Sequence, residues 1–315
     1  MQSSATHAQS VAVIGAGAIG CVFAEAASSL GHSTTLCVRR APRKISIHRD
    51  GELHPLNAIV ADKPDHLSPV DWVVIATKVQ DTLSVAPWLS RLVGKNTVLL
   101  LLQNGIDGVN LVRTMVGDNS ILPSVVYINA ERRHADLIVH HFGAHLEIPA
   151  CAEAERLKLL MAGGVDIHPQ DDFTTAAWRK LIINIAVNPI TALTAQRFGV
   201  FAVPEIRSLA AGLIREAAAV GNASGAHLPD GEVEKIIAMC GSLKPQGGTS
   251  MLFDRLKGNR LEVEHLTGTI VRLARSHGIG VPLNTAILAL LTAVDQPKSA
   301  GLHMGEEDLR AAAGS

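Results

Sequence analysis

Val11-Ala12-Val13-Ile14-Gly15-Ala16-Gly17-Ala18-Ile19-Gly20 joins an apolar, β-branched run directly to the pattern G-x-G-x-x-G. In such a junction Gly15 permits the tight turn out of the strand, Gly17 lets a pyrophosphate approach the backbone, and Gly20 lets the next helix pack close to the sheet. The 27 glycines of the chain make a bare match weak, so the flanks carry the reading. Residues 21–30 form an amphipathic helical pattern closed by Gly31, and residues 34–38 read as a second strand, which completes a βαβ unit. The expected ligand is a dinucleotide, with its phosphates on the positive end of the helix and the backbone at Gly15, Gly17, Ala18, Ile19 and Gly20 around them.

The tip of the second strand bears on which dinucleotide. An acid there accepts from the ribose hydroxyls of NAD, whereas a 2′-phosphate calls for cations. This chain has Arg39 and Arg40, with Arg43 and Lys44 close behind. Guanidinium groups bind phosphate in bidentate fashion, so Arg39 is the candidate for a 2′-phosphate and NADPH is the expected cofactor.

At 315 residues the chain accommodates two domains. Its formal net charge of −1 offers no field for a nucleic acid, and the local arginines suit one phosphate group. Apolar residues make up 47% of the chain and aromatics only 3%, so the core must be built from aliphatic side chains. Cys21, Cys37, Cys151 and Cys240 show no C-x-x-C spacing and read as reduced core residues of a cytoplasmic protein. Residues 1–10 are polar and read as a flexible tail, not a secretory signal. No apolar stretch approaches the ~20 residues needed to span a bilayer, so no membrane partner is expected.

From residue 11 to about 149 strands alternate with helices, with further buried strands expected at 72–77, 97–102 and 121–126. Loops after such strands gather at the carboxyl edge of the sheet, where ligands bind. Two of them are chemically equipped: Thr77-Lys78-Val79-Gln80-Asp81-Thr82 and Gln103-Asn104-Gly105-Ile106-Asp107-Gly108. The stretch 121–148 is expected to extend the same sheet, and its His140 and His141 have no partners at metal-ligand spacing. Helical patterns follow at 174–187, 203–223, 230–240, 259–277 and 284–294. The expected fold is an α/β Rossmann-type parallel sheet domain (11–172) followed by an all-α domain (173–295), a tail at 296–315, and a cleft between the domains.

Two features of the helical part carry chemistry. Lys180, Asn184 and Asn188 recur every four residues among aliphatic neighbours, so they share one helix face, and Asn188-Pro189 is expected to end or kink that helix. A polar stripe on an apolar helix faces either solvent or a polar cavity. Within 259–277, read as one helix, Glu262 shares a face with Leu266 and Thr269; periodicity alone favours a solvated helix acid, and the other reading sets this carboxylate across the cleft from Lys180.

Together these segments resemble the ketopantoate reductase (2-dehydropantoate 2-reductase) family over residues 11–291. The resemblance rests on the ordered set Gly15/Gly17/Gly20, Ala76-Thr77-Lys78, Gln103-Asn104-Gly105, Trp178-Arg179-Lys180 with Asn184 and Asn188-Pro189, Ser250-Met251-Leu252 with Asp254, Glu262 with Gly268, and His277-Gly278-Ile279 with Pro282 and Asn284. It departs from relatives at 132–149, where they tend toward glycine-rich turns. The resemblance implies NADPH-dependent reduction of a small 2-oxo acid, with ketopantoate giving (R)-pantoate for pantothenate biosynthesis as the leading case, and a homodimer is admissible. It implies Lys180 as catalytic lysine, Glu262 as substrate-binding acid, Asn184, Asn188 and Ser250 as polar substrate contacts, and Lys78 and Asn104 on the cofactor side. A same-fold reductase of another 2-oxo acid or an imine remains the alternative. A non-catalytic NADPH-binding sensor or scaffold is a further one, although it would be expected to lose the lysine or the acid.

Overall fold

The computed structural model describes residues 8–40 and 44–296, so Arg43 and the parts of the expected tails at 1–7 and 297–315 lie outside the described residues. Strand β1 (Ser10–Ile14) feeds α1 (Ala18–Ser29), and β2 (Ser33–Cys37) follows. Three short strands come next, β3 (Ser46–Arg49), β4 (Glu52–Pro55) and β5 (Ile59–Ala61), before β6 (Trp72–Ile75), a 3-10 turn at Val79–Val85 and α2 (Ala86–Leu92). Then β7 (Val98–Leu101), α3 (Gly108–Val116) and β8 (Ile121–Pro123) complete a parallel sheet of order β5-β2-β1-β6-β7-β8.

The continuous apolar runs are explained by burial on both faces of that sheet. Val11, Val13, Val74 and Leu100 enter the core beneath α1, while Ala12, Ile14, Val73, Ile75 and Leu99 enter a second core closed by Leu89 and Leu92 of α2 and Val112 of α3. The expected tail at 1–10 ends earlier than the sequence suggests. Ser10 is already in β1, and Gln9 accepts a hydrogen bond from Trp72 Nε1 at 2.6 Å.

Only the start of the stretch 121–148, strand β8, extends the parallel sheet. After β8 the chain leaves it as β9 (Val125–His134) and β10 (Leu137–Pro149), passes through α4 (Ala152–Leu160), and returns as β11 (Asp166–Gln170). These strands form a second sheet of order β11-β10-β3-β4, with β9 antiparallel to β10. The reason lies in α1, in which Gly20 to Ala27 are all buried. A helix apolar all round needs cover on both sides. The parallel sheet supplies one side, and Ile128, Ile138, Leu146 and Ile148 of the second sheet supply the other. The one acid in that run, Glu25, is 3% exposed and pairs with Arg49 of β3 at 3.2 Å.

The remaining elements are helical: α5 (Phe173–Thr194), α6 (Pro204–Ala223), α7 (Asp230–Gly241), α8 (Ser250–Leu256), α9 (Thr267–His277) and α10 (Pro282–Asp295), with a 3-10 turn at Phe198–Ala202. Their core is built around α5, whose Trp178, Leu181, Ile182, Ile185 and Ile190 are buried among side chains of the other helices. Here the structure narrows one expectation and overturns another. Pro189 lies inside α5, which runs on to Thr194; the missing N–H costs one backbone bond, but packing by α6, α8 and α10 holds the helix through it. The expected helix at 259–277 begins only at Thr267, because the segment before it is drawn across the parallel sheet's loops instead of coiling. Cys151 corrects a third point: it is exposed, whereas Cys21, Cys37 and Cys240 are buried, and all four are free thiols.

The glycine turn generates a direct test. Gly15 has φ +112°, and a Cβ on Gly20 would lie 2.1 Å from the Gly15 carbonyl oxygen, backbone against backbone. Gly20→Ala is expected to lower unfolding free energy by about 1–3 kcal/mol, as overpacking of a close contact does. Urea denaturation checks it, and an unchanged midpoint would show that the turn relaxes without cost.

Candidate active site

The parallel strands place the loops after β1, β2, β6 and β7 at one sheet edge. At the first, the glycine turn hands the chain to α1, whose N-terminus at Gly17 has no side-chain cap. Gly17 is exposed, and the nearest atom to a Cβ there would be 3.8 Å away, so the turn presents open backbone beside free helical N–H groups. Such a cradle fits a pyrophosphate. Ala18 and Ile19 form the first turn of α1 behind it, and Arg132 of β9 donates to the Ala16 carbonyl from the second sheet.

Arg39 follows β2, highly exposed, and pairs with Asp81 at 3.3 Å. The strand tip has no acid of its own, but the fold supplies one from the loop after β6. An exposed pair of this kind is worth about 0.2–1 kcal/mol, so a more highly charged anion can take Asp81's place.

The loops after β6 and β7 meet the helical half. Lys78 Nζ lies 2.5 Å from Asp254 Oδ2 of α8 and donates to the Arg260 carbonyl at 3.3 Å. Asn104 Nδ2 donates to Glu262 Oε2 at 3.5 Å. Gln103, buried between the loops, donates to the Thr77 carbonyl at 3.0 Å and the Thr82 hydroxyl at 2.8 Å, and so ties them together. Glu262 itself is 8% exposed. Burial pushes its carboxyl above the ordinary range; the Lys78 charge, the Asn104 amide and the Val79 backbone act against that push, and Asp254 adds to it.

Lys180 projects from α5 into a cavity of about 260 Å³ lined by the Gln103–Val109 region, Pro123 to Val126 and α5. Asn104 lines the same cavity. Burial lowers the Lys180 pKa, and the Glu147 carboxylate works in the opposite direction. The cavity is mostly apolar with a few polar groups, a lining suited to a small metabolite.

The remaining candidates are placed unevenly. Asn184 is half-buried and Asn188 is 3% exposed on the same side of α5, while Ser250 is exposed at the first turn of α8. Among the described residues no hydrogen bond or ion pair joins Lys180 to Glu262; Asn104 touches the acid and shares the cavity with the lysine. Glu262 sits on the non-helical segment before α9, so the helix-face argument for its position is overturned. No group of His, Cys, Asp and Glu that could hold a metal occurs among the described residues, and no described helix is long and apolar enough to cross a membrane.

The ketopantoate reductase PanE/ApbA profile matches residues 11–153, and the matching C-terminal profile covers residues 172–295. The chain belongs to the ketopantoate reductase family. It is similar to a 2-dehydropantoate 2-reductase of Mycobacterium tuberculosis, 33% identical over 293 residues, covering 91% of this chain and 98% of the relative. A Caulobacter vibrioides 2-dehydropantoate 2-reductase is 33% identical, covering 90% and 98%. A solved dimeric ketopantoate reductase of Staphylococcus aureus superposes with a TM-score of 0.83 at 30% identity, covering 91% of this chain and 99% of that one. Membership makes the chain an oxidoreductase.

Sequence reasoning identified the loop containing Asp107 without giving that residue a task. Its Oδ2 accepts from Thr269 Oγ1 at 2.7 Å and from Arg272 Nη2 at 2.6 Å, with His265 Nδ1 at 3.8 Å, which fastens the loop after β7 to α9. Burial opposes ionisation of Asp107, but His265, Thr269 and Arg272 together overcome it and hold the carboxyl at about 2. A depressed folded pKa gives stability that is present above the unfolded value near 3.9 and lost as pH falls toward the folded one. The urea midpoint of the wild type is therefore expected to exceed that of Asp107→Asn at neutral pH, with the gap narrowing as pH drops below about 4. A gap independent of pH would contradict the latch.

Proposed function

We propose that this chain reduces 2-dehydropantoate to (R)-pantoate with NADPH. The observation that carries the reading is that Asn104 both lines the cavity of a desolvated lysine and touches a buried carboxylate. Residues 11–172 act as the cofactor-binding domain and 173–295 as the helical substrate domain. The glycine turn, Ala18 and Ile19 fit the pyrophosphate, and Arg39 exchanges Asp81 for the 2′-phosphate, which favours NADPH over NADH. Lys78 and Asn104 flank the nicotinamide side. Bound NADPH supplies the hydride.

As the carbonyl oxygen gains negative charge, the Lys180 ammonium stabilises it and gives it a proton, leaving a neutral amine that solvent reprotonates. Desolvation makes that ammonium a better acid than a lysine in water. Glu262, as carboxylate, accepts from the substrate hydroxyl, and Asn184, Asn188 and Ser250 contribute neutral hydrogen bonds to the rest of the substrate. The similar Staphylococcus aureus enzyme is dimeric, which supports a homodimer here, and a biosynthetic reduction suits the cytoplasm.

The two shifted groups set the pH response. Activity is expected to fall as pH drops through the raised Glu262 value, because protonation removes the acceptor, and to fall again as pH rises through the lowered Lys180 value, because the acid is lost. Lys180→Ala is expected to fold normally, bind NADPH, and lose roughly 10²-fold or more in kcat followed by NADPH oxidation with 2-dehydropantoate. Near-normal turnover of that variant would remove Lys180 from the chemistry.

A further inference from the structure

Lys180 is a half-buried, largely desolvated cation, and among the described residues it has no hydrogen bond or ion pair to a carboxylate. A desolvated ammonium needs some compensating partner. The one in contact is an aromatic face: Nζ lies 4.5 Å from the ring centroid of Tyr127, the single tyrosine of the chain. Within about 6 Å the ring quadrupole attracts a cation, most strongly where water is excluded.

The ring is itself held in place. Tyr127 and His145 are directly opposed across the β9–β10 pair, and their rings stack at 4.5 Å with 15° between planes. His145 in turn stacks on His168 of β11 at 5.1 Å and 19°. Tyr127 Oη donates toward Glu147 Oε2 at 3.5 Å, which fixes the far edge of the ring. Three strands of the second sheet thus build a column of rings from exposed His168 inward to the underside of Lys180.

We propose that Tyr127 is a positioning residue that seats the Lys180 ammonium on its π face and aims it into the cavity. The inference rests on Lys180 acting as the proton donor. A carboxylate in the same place would hold the ammonium in its charged form and blunt its acidity, whereas a π face orients the cation with a weaker hold on the proton. The titratable and charged groups around it are Tyr127 on β9, His145 and Glu147 on β10, His168 beyond them on β11, and Arg179 on α5, which is turned to Glu232 of α7. Burial together with the neighbouring His168 keeps the His145 pKa below its ordinary value, so the imidazole under Tyr127 stays neutral and does not repel the lysine at working pH. The Tyr127 phenol is pushed up to about 12, first by burial and then by Glu147, so it too remains neutral.

The test compares kcat, KM and the pH profile of kcat for wild type, Tyr127→Phe, Tyr127→Leu, Tyr127→Met and Lys180→Ala, with NADPH and 2-dehydropantoate. Tyr127→Phe keeps the face and is expected to stay within about threefold of wild type in kcat. Tyr127→Leu and Tyr127→Met remove the face, and each is expected to lose about tenfold or more in kcat with little change in KM for NADPH. In both, the alkaline limb moves to lower pH, because the ammonium loses a stabilising neighbour. A second apolar variant guards against misfolding of the first, and a purely structural role would not move the limb. Wild-type kcat and an unmoved limb in either folded apolar variant overturn the proposal, as does a Phe variant as impaired as the Leu variant. Near-normal turnover in Lys180→Ala overturns the proton-donor reading along with it, whereas an inactive Lys180→Ala beside an unaffected Tyr127→Leu overturns the seat alone.

Discussion

A carboxylate buried where two halves of a chain meet is the constraint around which this structure is arranged. Glu262 lies at the carboxyl edge of the parallel sheet, almost out of water, with Asn104 reaching it from the loop after β7 and the Lys78–Asp254 pair close by. Burying such a group uncompensated would cost several kcal/mol, so the loops after β6 and β7 must supply donors and a positive charge. Gln103 keeps those loops in register, and Asp107 fastens the second of them to α9. The contacts that hold the halves together are thus the same ones that shape the site.

The second sheet contributes in a less obvious way. It exists because α1 is apolar on every side and needs cover opposite the parallel sheet. Besides that packing, it sends Arg132 to the glycine turn, Val125 and Val126 to the cavity wall and Tyr127 to the lysine. One layer therefore touches the glycine turn, the cavity and Lys180.

Much of this was legible in the sequence, for identifiable reasons. Strands buried on both faces read as unbroken apolar runs, which is why β1, β6 and β7 were recognisable, and the glycine turn is written in residue types that few other contexts require. Strands β3 to β5 were not recognisable: they are three or four residues long, and Leu53 and Ile59 point to solvent. Glu262 was singled out by its family pattern, whereas periodicity put it on a helix that does not form there. Pro189 does not end α5, because tertiary packing outweighs that part of a local rule. The partners of the site residues had no sequence signal at all. Lys78 and Asp254 are 176 positions apart, and nothing in the spacing of Tyr127 and Lys180 announces that one sits over the other.

The most direct test of the account is substrate discrimination by Glu262. Catalytic efficiency would be measured for wild type and Glu262→Ala, at saturating NADPH, with 2-dehydropantoate and with 2-oxoisovalerate, which keeps the branched skeleton but lacks the hydroxyl. A hydrogen bond to a charged group is worth about 1.5–3 kcal/mol, so the variant should lose roughly ten- to over a hundredfold on 2-dehydropantoate and little on 2-oxoisovalerate. Parallel losses on both substrates, or no turnover of 2-dehydropantoate by the wild type, would contradict it.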